Sequence, residues 1–349
     1  MRFQILAPAL LLAAASCGGA TPPAHIAGPA SSAPASSSAA VVPFKGEAME
    51  LLGGRLRVSV PAGAKAVPRR RSIMAAEEAT TEETRVILDP GTSGVPKFVM
   101  LAREGFEIGS KDPIKDVQVL VKEDKDERYR IEPFTAGGGL KAAAFYPEGK
   151  AHGDGPLLAM GVFLEQPDDT IQTVLFFILP EMIGERPAWE AKAKSIAASL
   201  SSGGKKLELP AGERKLDTGE GSDLVLQVPR GFVINRQDGP DFFVYHVRKL
   251  TRVGAPPAML GLYVGGHPSY QYKQNERGEE GLVRTKGTLL GQPVEWVNWD
   301  MRSGGLKMAE TMGKLSDHSF VHAFATSDSA TVIELQAIAT SMKVVARPK

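Results

Sequence analysis

Leu56-Arg57-Val58-Ser59-Val60-Pro61-Ala62-Gly63 and Leu224-Val225-Leu226-Gln227-Val228-Pro229-Arg230-Gly231 are two versions of one pattern. In each, apolar residues at every second position define a strand with one buried face, and Pro-x-Gly then forces a turn. A second correspondence lies downstream. Ile196-Ala197-Ala198-Ser199-Leu200 matches Ile338-Ala339-Thr340-Ser341-Met342, and each follows a strand-like run, Thr173 to Leu179 and Ser319 to Ala325. An opening strand and a closing helix thus recur in the same order. The spacing is 168 residues at the start and 142 at the end. That is two copies of one domain, the first longer, and not a solenoid of short repeats. The small, polar stretch Ser201 to Lys206 marks the boundary, dividing residues 44–202 from 203–349.

Between these landmarks the first copy reads as a helix around Ser72 to Thr81, then strands at Thr84–Asp89, Lys97–Arg103, Lys141–Tyr146, Leu157–Glu165 and Thr170–Leu179. Asp116 to Arg130 is charged and fits helix or strand. Pro187 suits a first helical turn. Trp189, Ala193, Ile196, Ala197 and Leu200 share one helical face, with Gly203 and Gly204 as the stop. The second copy offers strands at Asp241–Val247, Ala258–Val264, Gly281–Thr288, Pro293–Trp299 and Lys307–Met312, and a closing helix at Thr331–Lys343.

A strand ending in Pro-x-Gly, an antiparallel sheet, and a last strand feeding a helix that ends near Ile-Ala-x-Ser-Leu together resemble the PsbP-like family. That resemblance implies an α+β fold of two tandem antiparallel-sheet α/β/α sandwiches, and an assembly or docking role rather than catalysis. The matching residues are core positions, so no functional residue carries over.

Ahead of the copies stand two segments of different character. Met1 to Ser16 reads as a signal peptide, with Arg2 followed by an apolar run from Phe3 to Ala15 that is too short for a membrane span. Ala14-Ala15-Ser16-Cys17 resembles the lipobox of bacterial lipoproteins, in which the cysteine carries acyl chains. Cys17 is the chain's single cysteine. An unpaired thiol in an exported protein needs a reason, and lipidation supplies one. The alternative is an ordinary signal peptide cut near Ala15. Gly18 follows, where an Asp would imply retention in the inner membrane, so the resemblance points to a cell-envelope lipoprotein at the outer membrane, facing the periplasm or the cell surface. The layout also looks like exported lipoproteins of the myxobacterial type. Residues 17–43, rich in Ala, Ser and Pro and free of charge and aromatic rings, read as a disordered tether. Its reach is about 28 Å for roughly 26 residues.

Charge excludes other classes. With 41 Lys+Arg against 40 Asp+Glu, the chain has a formal net charge of +1, which argues against nucleic acid as a partner. Residues 44–202 carry 21 basic and 24 acidic side chains, net −3, and residues 203–349 carry net +3. The halves are therefore expected to dock with electrostatic help that salt weakens, and proteolysis is expected between Ser201 and Lys206.

The chemistry-bearing residues are sparse. One cysteine rules out an intrachain disulfide and a multi-cysteine metal site. No Gly-x-Ser-x-Gly elbow or phosphate loop occurs, and Gly137-Gly138-Gly139 reads as a connector. His318 and His322 fall on a strand, where four residues span about 13 Å. His246, His267 and His322 form a conceivable metal site, but His322 reads more simply as a satisfied core residue. Glu77-Glu78, Glu82-Glu83 and Asp168-Asp169 read as solvated pairs, and Arg69-Arg70-Arg71 as a solvated turn. The binding expectation rests on Trp296 and Trp299, on opposite faces of one strand, with Tyr270 and Tyr272 nearby. No catalytic residue, metal or cofactor is expected. The partners expected are the membrane, through the lipid anchor, and an envelope protein. The alternative is a small-ligand receptor or enzyme using a cleft between the copies.

Overall fold

The alternating pattern of Leu56–Val60 places Leu56, Val58 and Val60 on one face, and all three are buried in the computed structural model. The structure describes residues 41–69, 83–91, 94–121, 128–148, 155–274, 281–301 and 305–347. The expected signal peptide, Cys17, most of the tether, the helix at Ser72–Thr81, and Arg70, Arg71, Glu77, Glu78 and Glu82 lie outside them.

The first half runs β1 (Glu47–Leu51), β2 (Leu56–Val60), β3 (Lys65–Arg69), β4 (Glu83–Asp89), β5 (Phe98–Ile108), α1 (Pro113–Val121), β6 (Tyr129–Thr135), β7 (Lys141–Pro147), β8 (Leu157–Glu165), β9 (Thr170–Ile178), α2 (Arg186–Ala197) and β10 (Ser201–Ser202). The second half runs β11 (Gly212–Asp217), β12 (Ser222–Val228), β13 (Phe232–Asp238), β14 (Phe242–Lys249), β15 (Met259–Gly265), β16 (Val283–Leu289), β17 (Gln292–Asp300), β18 (Lys307–Lys314), β19 (Phe320–Ser327), α3 (Ser329–Thr340) and β20 (Lys343–Ala346).

Two seven-stranded antiparallel sheets result, ordered β3-β4-β5-β9-β8-β7-β6 and β13-β14-β15-β19-β18-β17-β16. Two three-stranded sheets accompany them, β1-β2-β10 and β11-β12-β20. Every strand of the first half has its counterpart ten strands later, in the same place and with the same neighbours. The repeat seen in two short phrases therefore extends over the whole topology.

Each half has its own core. One gathers Leu56, Met100, Val174, Phe176 and Ile196 between the large sheet, the small sheet and α2. The other gathers Leu226, Leu262, Ala323, Leu335 and Ile338 around α3. Full burial of each such side chain contributes about 1.5–3 kcal/mol. Asp328 caps α3 by accepting the Thr331 N–H at 2.9 Å.

Two local expectations need correction, and one left open is partly settled. The helix expected to stop at Gly203-Gly204 ends at Ala197, because Ser201 and Ser202 pair with β2. The helix expected through Lys343 ends at Thr340, because Lys343–Ala346 pairs with β12. In the ambiguous Asp116–Arg130 stretch, residues 116–121 end α1 and Tyr129 and Arg130 open β6, while 122–127 lie outside the described residues.

The two halves lie within one compact unit, Val41–Lys349. Ile108 bridges the halves: its N–H donates to the Thr251 carbonyl at 2.8 Å, and its own carbonyl accepts the Val253 N–H at 3.0 Å. Phe106, Leu207, Leu209, Val233 and Leu250 form an apolar cluster beside that bridge.

Candidate functional site

Strand alternation gives the second large sheet two faces. Tyr245, Leu262, Ala323 and Trp296 point to the core and α3. Phe242, Tyr263, Phe320, Phe324 and Trp299 point the other way, and each is half-buried. In the first half α1 lies over the corresponding face of β6, β7 and β8. In the second half a segment without an α-helix, residues 266–274, takes that position.

A buried acid holds this segment down. Glu310 on β18 is fully buried. Its carboxylate accepts the Tyr272 N–H at 2.7 Å, the Gln271 N–H at 3.0 Å and His322 Nε2–H at 2.8 Å. A buried charge persists only when paired in this way. Tyr270 is thereby placed 5.2 Å from the Tyr272 ring and 5.8 Å from His322, with His322 5.5 Å from Phe324. Arg284 lies 5.6 Å from the Tyr272 ring and Lys273 5.4 Å from that of Tyr270. Beyond His322, Phe242 stacks on Tyr263 at 5.1 Å. The result is a half-buried aromatic face with a basic rim, its His322 and Tyr272 rings largely covered. At its β13 margin it runs into the contact between the halves, where Arg248 stands 5.9 Å from the Phe106 ring.

Of the four residues expected to meet a partner, three share this face: Trp299, Tyr270 and Tyr272, the last with its ring largely covered. Trp296 does not. It is 3% exposed and faces the core, its ring filling the space above Gly287 on the adjacent strand. The alternation that exposes Trp299 requires this.

The three histidines considered together do not converge. His322 is bound to Glu310, and His267 is exposed in a loop. His246 sits with Nδ1 3.3 Å from Met259 Sδ. Burial, helped by Arg248, pulls its imidazole down to about 4, so it is neutral at ordinary pH. Among the described residues no group of three His, Cys, Asp or Glu side chains could hold a metal ion.

In two of the pairs read as solvated, one member is not, while Asp169 is exposed as expected. Glu83 is 3% exposed and accepts Arg103 Nε–H at 2.6 Å. Asp168 belongs to a buried network: its Oδ2 accepts Arg55 at 2.9 Å and the Leu207 N–H at 3.0 Å, and its Oδ1 accepts the Thr170 hydroxyl at 2.6 Å. Burial alone would raise its pKa, but the bonds from Arg55, Thr170 and Leu207 overcome that and hold it at about 2. Arg55 also donates from Nε to Glu104 at 2.6 Å, and Gln172 donates to the same oxygen at 2.7 Å. The network fastens the connection between the halves. No sequence signal marks it, since Arg55 lies 113 residues from Asp168 and 150 from Lys205, whose carbonyl it also reaches.

A shallow hollow of about 390 Å³ opens at the start of α1, between Lys111–Ile114 and Phe134–Ala142. It belongs to the first half alone.

No family model and no curated protein matches the chain. Among solved structures, a protein from Bacteroides thetaiotaomicron VPI-5482 is similar at 13% identity over 51% of this chain, with a TM-score of 0.25. The matched region spans 56% of that protein's length. The tail fiber of Staphylococcus aureus phage P68 is similar at 9% identity, over 68% of this chain and 69% of that one, with a TM-score of 0.11. At these scores neither likeness defines a fold.

Proposed function

We propose that the chain is a lipid-anchored, non-catalytic lipoprotein of the bacterial cell envelope, built on two PsbP-like sandwiches, and that its second half docks a protein partner. The observation that carries this reading is the aromatic face around Tyr263, Trp299 and Phe324. Aromatic side chains bring large contact area at low entropic cost, and they dominate the energetics of protein interfaces. In the first half α1 and α2 cover opposite faces of the sheet, which supports the α/β/α description there. In the second half α3 covers one face, and among the described residues the segment held by Glu310 covers only part of the other.

The reading of a receptor or enzyme with a cleft between the halves has less support. Phe106, Leu209 and Val233 fill the region where such a cleft would lie. Anchoring rests on Cys17 and its surroundings in sequence. Among the described residues no helix is long and apolar enough to cross a membrane.

The test is a crosslinking pull-down from the native envelope. The intact protein should partition with membranes through a high-salt wash and capture a discrete partner, and Cys17→Ser should leave the membrane fraction. A Cys17→Ser protein that stays bound after the wash contradicts the anchor. Capture that survives Tyr263→Glu combined with Phe320→Glu, in a protein that still melts cooperatively, contradicts the docking face.

A further inference from the structure

The contact between the halves has a buried acid behind it. Glu165 ends β8, is 8% exposed, and has a carboxylate oxygen, Oε1, that is buried without a hydrogen-bond partner. A buried carboxyl oxygen without a partner is costly, so its presence asks for a role. Asp116, 2% exposed in the first turn of α1, faces it. The two meet over Gly109: a β-carbon on that glycine would lie 3.3 Å from Glu165 Oε1 and 3.3 Å from Asp116 Oδ2.

The backbone between these carboxyls leads directly to the second half. Gly109 donates its N–H to the Asp169 carbonyl at 2.8 Å, and Ser110 donates its N–H to Asp116 Oδ2 at 3.0 Å. The residue before them, Ile108, is the one bridged to Thr251 and Val253. Any force that separates Glu165 from Asp116 acts on the Gly109–Ser110 segment and hence on that bridge.

We propose that Glu165 is a proton-operated latch on the contact between the two halves: neutral, it lets Asp116 and Gly109 close over it, and ionised, it pushes them away and loosens the Ile108 bridge. The charged groups that face it are Asp116 on α1, Asp169 in the β8–β9 turn, Lys141 on β7 and Lys111 ahead of α1. Burial first, then Asp116 and Asp169, raise the Glu165 pKa, against opposing pulls from Lys141 and Lys111. The sign follows from that direction. A carboxyl whose pKa is higher in the closed state favours closure fully below its ordinary value of 4.5, and that advantage is lost as pH rises through the raised value. The latch is independent of the docking role proposed above. Its consequence is that the halves are held more tightly in acid than at neutral pH.

Amide hydrogen exchange on the whole mature chain tests this, with intrinsic exchange rates divided out and the Leu262 amide in the second core as reference. Between pH 5 and pH 8, protection of the Ile108 and Val253 amides should fall relative to Leu262, by about tenfold for each unit by which the pKa is raised. Glu165→Gln should hold that ratio constant across the range. Asp116→Asn keeps an acceptor for Ser110 but removes the repelling charge, so the fall should shrink. A constant ratio in the wild-type chain overturns the proposal, as does an equal fall in Glu165→Gln. Should Glu165→Gln fail to fold, a full-sized fall in Asp116→Asn overturns it as well.

Discussion

Gly261 on β15 lies directly across from Phe324 on β19, and the phenyl ring occupies the place a side chain at 261 would take. A β-carbon there would stand 2.0 Å from the ring. Phe145 covers Gly161 on β8 of the first half in the same manner, also at 2.0 Å. Aromatic cover of a strand glycine repairs the packing that the glycine leaves out. Gly261→Ala should therefore cost about 1–3 kcal/mol by overpacking. Combined with Phe324→Ala it should cost less than the sum of the two single changes. Urea unfolding of the three variants measures the coupling, and strict additivity would separate the two residues.

Glu310 is the fixed point of the aromatic face. Glu310→Ala leaves His322 and the N–H groups of Gln271 and Tyr272 unpaired, and should destabilise the protein by about 3–5 kcal/mol. Glu310→Gln retains an acceptor and should cost clearly less. Tyrosine fluorescence and urea midpoints of both variants check this order.

Asp168 gives a defined acid dependence. Its pKa of about 2 in the folded chain lies below its ordinary 3.8. The stabilisation is thus complete above about pH 4 and is lost as pH falls through about 2, for a total on the order of 2 kcal/mol. Unfolding free energies at pH 4.5 and pH 2 should show this loss in the wild type. Asp168→Asn, less stable throughout, should show a smaller loss over the same interval.

The connection between the halves should resist proteases and salt. Gly203 donates its N–H to the Arg55 carbonyl at 2.8 Å, Lys205 accepts from Arg55, and Leu207 is bound to Asp168. Beyond these bonds, the contact holds the apolar cluster of Phe106, Leu209 and Val233 and the backbone bridge of Ile108, neither of which salt screens. Limited proteolysis should leave residues 201–207 uncut while the folded body persists, and 1 M salt should not change the number of unfolding transitions. Early cleavage between Ser201 and Lys206 would restore the picture of two loosely docked modules.

What sequence could reveal here was set by how local the signal is. β2 and β12 were legible because strand alternation and a Pro-x-Gly stop lie within eight residues, and β8 matches its expected limits, Leu157–Glu165. The short return strands β10 and β20 were not, because Ser201–Ser202 and Lys343–Ala346 have no apolar alternation and owe their form to pairing with β2 and β12. Alternation also separated Trp296 from Trp299, but which of them faces the core depends on where α3 packs. Glu310 carried a faint signal, a single acid among apolar residues in Met308-Ala309-Glu310-Thr311-Met312. Its partner His322 became visible only once β18 and β19 were paired. The Arg55–Glu104–Asp168 network joins the start of β2, the interior of β5 and the β8–β9 turn, all distant in sequence, and only the fold brings them together.

Docking through the second half is most directly tested by a photo-crosslinking residue placed at Phe320, on the aromatic face, and at Val95, an exposed position of the first half. On irradiation of intact cells, position 320 should give a discrete product of higher mass than the protein alone, and position 95 should not. No product at 320, or the same product at both positions, would contradict a docking role for that face.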